Sequence, residues 1–454
     1  MSTTITTCNP YDGKSLNTYS LFTDLQIEKV LENANNTFHL WKKVSITERI
    51  QFLEKLAVQV EEKKQELAEL ITLEMGKPIT ESIAEIEKCG ILIAYYKDNA
   101  EQFLSDVSVA SDANESFISY EPLGCILAVM PWNYPFWQVF RFAIPTITAG
   151  NTAILKHANI VSGCAIAIED LFKEAGYPEH CFQTVLASHD QVADLIKSPV
   201  VRAVSVTGSE KAGKTVASLA AENLKKSVLE LGGNNACIIW EDADLDTYMD
   251  TIVKARMQNT GQSCIAAKRF IVVEAIYDKF LNLFKDKVKQ FNIGNPQDEN
   301  TTFGVLADKK FAETIKDQVQ TSIEKGAVVI IGNEYKEAYC APTIITEVQP
   351  GMPVFDEEVF GPVAAICKVK NREAALQLAT TSSFGLGTML FTQDIEAAKK
   401  VISDIPDGSF FINELVKSDP RLPFGGTKNS GFGRELSKEG ILEFVNHKTV
   451  YINK

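Results

Sequence analysis

From residue 125 onward, short apolar runs alternate with amphipathic stretches, and this rhythm constrains the fold more than any other feature of the chain. The runs at 126–130, 152–156, 203–206, 236–240 and 269–273 have strand length, and the segments between them carry helical periodicity. Such alternation predicts a parallel sheet with crossover helices. A second run of the same kind covers residues 301–415. Residues 24–105 read instead as helical. Ser45 and Glu48 form a capping-box pattern, and Ile50, Leu53, Leu56, Val60, Leu67 and Ile71 recur at helical spacing until Gly76 and Pro78 stop the helix. Residues 115–121 alternate apolar and polar, as in a half-exposed strand.

A chain of 454 residues is long for one core, and two or three domains are expected. The 45 basic and 59 acidic residues leave a net charge of −14, which argues against nucleic acid and against an anionic membrane surface as partners. An anionic small substrate stays open, because a local basic pocket can sit in an acidic protein. Residues 1–7 lack a basic segment followed by an apolar one, and no apolar stretch reaches the roughly 18 residues that span a bilayer. Nine cysteines are scattered without CxxC pairs and the histidines are isolated. That pattern predicts reduced thiols in a cytoplasmic protein, with no metal site.

Two short motifs carry chemistry. Glu230-Leu231-Gly232-Gly233 supplies a carboxylate beside glycines, and Gly261-Gln262-Ser263-Cys264 supplies a thiol beside a glycine turn. A nucleophile and a general base are the parts needed for covalent catalysis followed by hydrolysis. A third motif competes. Gly208-Ser209-Glu210-Lys211-Ala212-Gly213-Lys214-Thr215 matches the phosphate-binding loop of nucleotide triphosphatases, with an apolar run before it and a helix after it. No G-x-G-x-x-G fingerprint is present.

The two chemical motifs resemble those of the aldehyde dehydrogenase superfamily. The second reads Asn259-Thr260-Gly261-Gln262-Ser263-Cys264, with Met257 where many members have Phe. Further segments match in the family's order: 131–135, 242–246, Pro342-Thr343, 358–362 and 423–426 followed by Ser430-Gly431. The resemblance implies an α/β fold with two open parallel-sheet domains and a small β oligomerisation element. The expected division is 1–109 and 128–232 for the NAD(P)-binding domain, 233–437 for the catalytic domain, and 110–127 with 438–454 for the oligomerisation element. A homodimer or homotetramer is expected from the C-terminal strand. The resemblance further implies Cys264 as nucleophile, Glu230 as general base and Asn133 as oxyanion donor, together with the Cys264 backbone N–H.

For the cofactor the resemblance points to Trp132, Lys156, Gly208, Ser209, Glu358 and Phe360. Thr207 to Gly213 matches the family's own diphosphate segment, which offers a second reading of the phosphate-loop motif. Asn159 stands where many members place an acid that would repel a 2′-phosphate. NADP should therefore be tolerated or preferred over NAD. Arg141 coincides with an arginine of succinate-semialdehyde dehydrogenases, and 418–426 looks like the bacterial branch of that group. Eight residues after Asn133 on an expected helix, Arg141 could hold a substrate carboxylate, with Ser418 as a second contact. The expected substrate is thus a small aldehyde bearing a carboxylate. Another small aldehyde remains an alternative, as do a structural ion pair for Arg141, a triphosphatase, and a non-enzymatic crystallin-like protein.

Overall fold

Strands β1 (Cys125–Met130), β2 (Thr152–His157), β3 (Phe182–Thr184), β4 (Val201–Thr207) and β5 (Lys226–Glu230) run parallel. The computed structural model, which describes residues 3–454, orders them β3-β2-β1-β4-β5. Alternate residues of β1 enter different apolar clusters: Ile126, Ala128 and Met130 one, Cys125 and Leu127 another. Both faces are therefore covered, which is why these strands read as continuous apolar runs rather than alternating ones. Chain order reverses between β1 and β4, so a crevice opens at their carboxyl ends, the usual ligand position in such a sheet.

A short strand, Gly431–Phe432, closes the β5 edge antiparallel, with Gly431 opposite Glu230. Gly431 has φ 111°, and a Cβ there would lie 2.0 Å from the Leu229 carbonyl oxygen, so only glycine fits.

The second sheet has seven strands in the order Val328–Ile331, Thr343–Thr346, Val363–Val369, Ala267–Val273, Asn235–Ile239, Thr388–Phe391, Phe410–Ile412. All pairings are parallel except that of the edge strand Val328–Ile331. Cys237 and Ile239 face one apolar cluster, Ala236 and Ile238 another. Only four residues, 231–234, join β5 to the Asn235–Ile239 strand, so Glu230 lies where one sheet hands over to the other.

The third sheet is antiparallel: Val445–Ile452 pairs with Glu115–Pro122, which pairs with Val107–Ser108. Three expected boundaries move. Residues 125–127 belong to β1, because their backbone pairs with 152–154. The small sheet begins at Val107, ahead of residue 110. Gly431–Phe432, expected within the catalytic part, is bonded to the first sheet.

The helical N-terminal region resolves into Asp24–Trp41, Ile46–Glu62, Lys64–Met75 and Ile79–Phe103. The Ser45 capping box forms as its sequence implies: Ser45 Oγ accepts from the Glu48 N–H (3.2 Å), and the Glu48 carboxylate accepts from the Ser45 N–H (3.0 Å). Among the described residues, no helix is long and apolar enough to cross a membrane.

One buried carboxylate fixes the helix that follows β1. Glu85 accepts from the Phe136 and Trp137 backbone N–H groups (2.9 and 3.0 Å), which begin the helix Trp137–Thr148, and its other oxygen meets the Lys77 ammonium at 2.6 Å. Both side chains of the pair are buried. Glu85→Ala would strand a buried cation and two helix-start donors. We expect it to cost about 3–5 kcal/mol. A denaturation midpoint equal to that of the unaltered protein would contradict this.

Candidate active site

Cys264 is where two cavities meet. One, of about 380 Å³, includes Tyr134, Trp137, Gln138, Arg141, Lys88 and Ser418 in its lining. The other, of about 260 Å³, is lined by Trp132, Asn133, Gly208, Ser209, Glu230, Glu358 and Phe360 among others. Cys264 belongs to both linings and is partly exposed, whereas all the other cysteines except the exposed Cys8 are buried. A nucleophile there can be reached from two sides by two different molecules.

The cysteine loop is held under backbone strain. Asn259, Thr260 and Gly261 all have positive φ (56°, 53° and 71°), unusual for a β-branched threonine. Surrounding bonds enforce the turn. The Asn259 N–H donates to Glu81 (2.8 Å), and its side-chain amide donates to the Asn133 carbonyl (2.8 Å). The buried Arg256 guanidinium donates to the carbonyls of Gly261 (3.2 Å), Val359 (3.2 Å) and Gly361. Gly233 packs so closely that a Cβ would lie 2.5 Å from the Cys264 carbonyl oxygen.

Lys268 completes the support. Its buried ammonium donates to the carbonyls of Gly233 (2.9 Å), Ser263 (2.8 Å) and Cys264 (3.2 Å), and to Glu358 (3.1 Å). Sequence reasoning passed over Lys268 and Arg256. The available signal was charge within buried elements, since Lys268 and Arg269 interrupt the otherwise apolar strand Ala267–Val273.

Glu230 ends β5 with its side chain in the 260 Å³ cavity. Neither carboxylate oxygen has a hydrogen-bond partner among the described residues. Burial, followed by the nearby Glu435 carboxylate, holds its pKa well above the ordinary carboxylate range. Asn133 lies in the same cavity, and its amide donates one hydrogen to the Gln262 carbonyl (3.1 Å). Its second N–H, like the Cys264 backbone N–H, meets no acceptor among the described residues. Burial pushes the Cys264 thiol up to about 11, against the opposing pull of the Arg141 and Lys268 cations.

The residues expected at the cofactor fall into two groups. Trp132, Gly208, Ser209, Glu358 and Phe360 share the Cys264 cavity. Lys156 and Asn159 line another, of about 210 Å³, with Ser188, His189 and Asp190. Trp132, Gly208, Ser209 and Asn159 follow the carboxyl ends of strands in the first sheet and Lys156 lies near the end of β2, whereas Glu358 and Phe360 come from the segment before the Val363–Val369 strand of the second sheet. Ser209 caps the helix Glu210–Glu222, its Oγ accepting from the Ala212 N–H, so a helix N-terminus opens on the crevice. Glu358 accepts from the Gly233 N–H (3.0 Å) and Lys268 through one oxygen, and the other has no hydrogen bond among the described residues. Phe360 meets Trp132 edge-on at 5.7 Å. Lys156 donates to the Asn159 side-chain oxygen (2.8 Å), and burial draws its ammonium down to about 8. This set suits a dinucleotide: amides and a helix start for phosphates, a free carboxylate oxygen for hydroxyls, an apolar wall beside the thiol, and a cation without an opposing acid at Asn159.

The triphosphatase alternative finds no such support. Lys214 lies on the exposed outer side of its helix in an ion pair with Glu210, and Thr215 donates to the Lys211 carbonyl (2.9 Å). Neither lines the crevice cavity.

Arg141 and Ser418 do line the 380 Å³ cavity, but not by the route the sequence suggested. Asn133 precedes the first residue of the helix Trp137–Thr148, so a helical face shared with Arg141 is not what brings them near the thiol. Arg141 is matched by a carboxylate the sequence reading passed over: its Nε lies 2.5 Å from Glu435, with both side chains buried. A structural ion pair at Arg141 is therefore present, but as a charge contact: Arg141 Nε and Nη2 and both Glu435 carboxylate oxygens have no hydrogen-bond partner among the described residues. Ser418 Oγ accepts from Lys88 (2.9 Å) and from the Trp137 indole (3.0 Å).

A strained cysteine loop between two doubly covered, largely parallel sheets, opening on a crevice that suits a dinucleotide, is the arrangement of a thiol-dependent oxidoreductase. The chain belongs to the aldehyde dehydrogenase family, which matches residues 1–450. Among its relatives, a probable NADP(+) succinate-semialdehyde dehydrogenase of Synechocystis sp. is 46% identical over 451 residues, covering 99% of each chain. An NADP(+) succinate-semialdehyde dehydrogenase of Mycobacterium bovis is 40% identical, with 99% of each covered. A crystal structure of succinic semialdehyde dehydrogenase from Streptococcus pyogenes with NADP+ as the cofactor superposes with TM-score 0.97 at 37% identity, covering 99% of this chain and 100% of that one.

The pH behaviour of the thiol checks this geometry. Only the thiolate is alkylated, and its fraction grows about tenfold per pH unit below the pKa. Without cofactor, the iodoacetamide rate at Cys264 should therefore keep climbing from pH 7 to 10. A plateau below pH 9 would show that the cations outweigh burial.

Proposed function

We propose that this protein oxidises a short ω-carboxy aldehyde, succinate semialdehyde, to the dicarboxylic acid succinate, with NADP preferred over NAD. One observation carries the reading: the thiol that faces the dinucleotide crevice also faces a cavity bearing the cations Arg141 and Lys88. An aldehyde carbon at Cys264 with a carboxylate reaching the cations satisfies both features. The names of the Synechocystis and Mycobacterium relatives support the same substrate and cofactor.

In this mechanism the Cys264 thiolate adds to the aldehyde carbon. The resulting oxyanion accepts from the free Asn133 N–H and the Cys264 backbone N–H, and each such donor is worth about 3 kcal/mol in the transition state. A bound nicotinamide supplies the hydride acceptor. Departure of hydride from the former carbonyl carbon leaves a thioester on Cys264. Glu230, once ionised, takes a proton from water as that water attacks the thioester, and its raised pKa makes it a stronger base than an ordinary carboxylate. Breakdown of the adduct expels the Cys264 thiolate and frees the acid. Trp132, Gly208, Ser209, Glu358 and Phe360 would hold the cofactor near the thiol, with Lys156 and Asn159 toward a 2′-phosphate.

The chain's outer β edge supports assembly as a homodimer or homotetramer. Among the described residues, strand Val445–Ile452 is bonded on one side only, and Tyr451 and Ile452 are exposed. The nine unpaired thiols support the reducing cytoplasm as its compartment.

The direct test is reduced-nicotinamide absorbance across a panel of aldehydes with both cofactors. Succinate semialdehyde should give the highest kcat/KM, and NADP should outperform NAD. Higher kcat/KM for butanal would overturn the substrate reading. Glu230→Gln separates the steps: acylation should persist while deacylation slows, giving a burst of reduced cofactor of about one per site and then a slow steady rate. Loss of the burst along with turnover would assign Glu230 to thiol activation or to structure instead.

A further inference from the structure

Arg141 and Lys88 both face the cavity that ends at Cys264, but their electrostatic situations differ. Arg141 already has a carboxylate partner in Glu435, so that pair is close to neutral. Lys88 has none. Its ammonium donates to the Ser418 hydroxyl and lies 4.1 Å from the centre of the Trp137 ring, and both partners are uncharged. The surrounding acids are engaged elsewhere. Glu85 is paired with Lys77, Asp419 with Arg421 (2.6 Å), and Glu414 with Lys417 (2.9 Å). Lys254, also on the lining, is exposed and faces Glu81 and Glu414.

We propose that Lys88, on the helix Ile79–Phe103, is a specificity-determining residue that binds the distal carboxylate of the substrate, with Ser418 as its co-donor and Arg141 as a flanking cation. This rests on the ω-carboxy aldehyde reading above. A partly buried cation facing a cavity, with only neutral partners, lacks a counter-ion, and an incoming carboxylate supplies it. Ser418 accepts from two donors, which leaves its own hydroxyl proton free to point into the cavity. Burial, together with the neighbouring Arg141 charge, lowers the Lys88 ammonium to about 8, so it is still mostly charged at neutral pH and gains most from an anion.

The test compares kcat/KM for succinate semialdehyde with kcat/KM for butanal, an uncharged aldehyde of the same chain length. Lys88→Met keeps the apolar stem, and the ratio should fall by about 10- to 150-fold. The fall should lie mainly in KM, because the distal carboxylate is bound equally before and during the chemical step. Lys88→Arg should retain most of the ratio. An unchanged ratio in Lys88→Met, or equal losses for both aldehydes, would overturn the role of Lys88. Failure of the underlying reading would look different: the unaltered protein would itself show no preference for the acid over butanal.

Discussion

The buried ammonium of Lys268 is the interaction on which the rest of the site depends. It gathers the carbonyls of Gly233, Ser263 and Cys264 and the Glu358 carboxylate around one point. Those acceptors come from the carboxylate motif, the cysteine motif and the segment that carries Phe360. Three stretches far apart in sequence therefore share one counter-charge. Removing a cation from water is costly, and burial lowers the Lys268 pKa accordingly. The arrangement persists because every acceptor around it is itself buried backbone or an opposing carboxylate. The strain in Asn259 and Thr260 can be held only because the loop is pinned on this side by Lys268 and on the other by Arg256 and Glu81.

A second group of charges sets the chemistry. Glu230, Glu435 and Arg141 put two buried carboxylates and one buried guanidinium close together, with Arg141 paired to Glu435. Burial raises the proton affinity of both carboxyls, and each negative charge opposes the other. The Glu230 carboxylate is thus left without a hydrogen bond among the described residues and with a strong tendency to hold a proton, a condition that suits the proposed base, which acts only when a water arrives beside it. Cys264 feels the same surroundings: burial disfavours its thiolate, and the two nearby cations partly restore it. Cys264 and Glu230 thus share the 260 Å³ cavity, and the loops that carry them meet at the same buried support.

Much of this was legible in the chain. The apolar runs after residue 125 became the parallel strands of two sheets, because a strand covered on both faces needs apolar residues at every position. The Ser45 and Glu48 cap was readable because it is purely local. The periodicity from residue 50 to 71 predicts one helix, but the helix is interrupted at Lys63, since periodicity alone does not register a one-residue break. Gly431–Phe432 is too short for any periodic signal, and it is positioned by pairing with a strand about two hundred residues earlier.

Motif chemistry and hydrophobic rhythm are written in neighbouring residues, so the proposed reacting groups and the layered architecture were readable along the chain. The sequence named Cys264, Glu230, Asn133 and the crevice residues without their coordinates. It could not assign partners to charges. Whether Arg141 is free or matched depends on Glu435, almost three hundred residues away, and whether Lys88 faces solvent or a substrate cavity depends on how its helix packs against Trp137 and Ser418. Electrostatic interaction follows distance in space, and only the tertiary structure brings those groups within reach of one another.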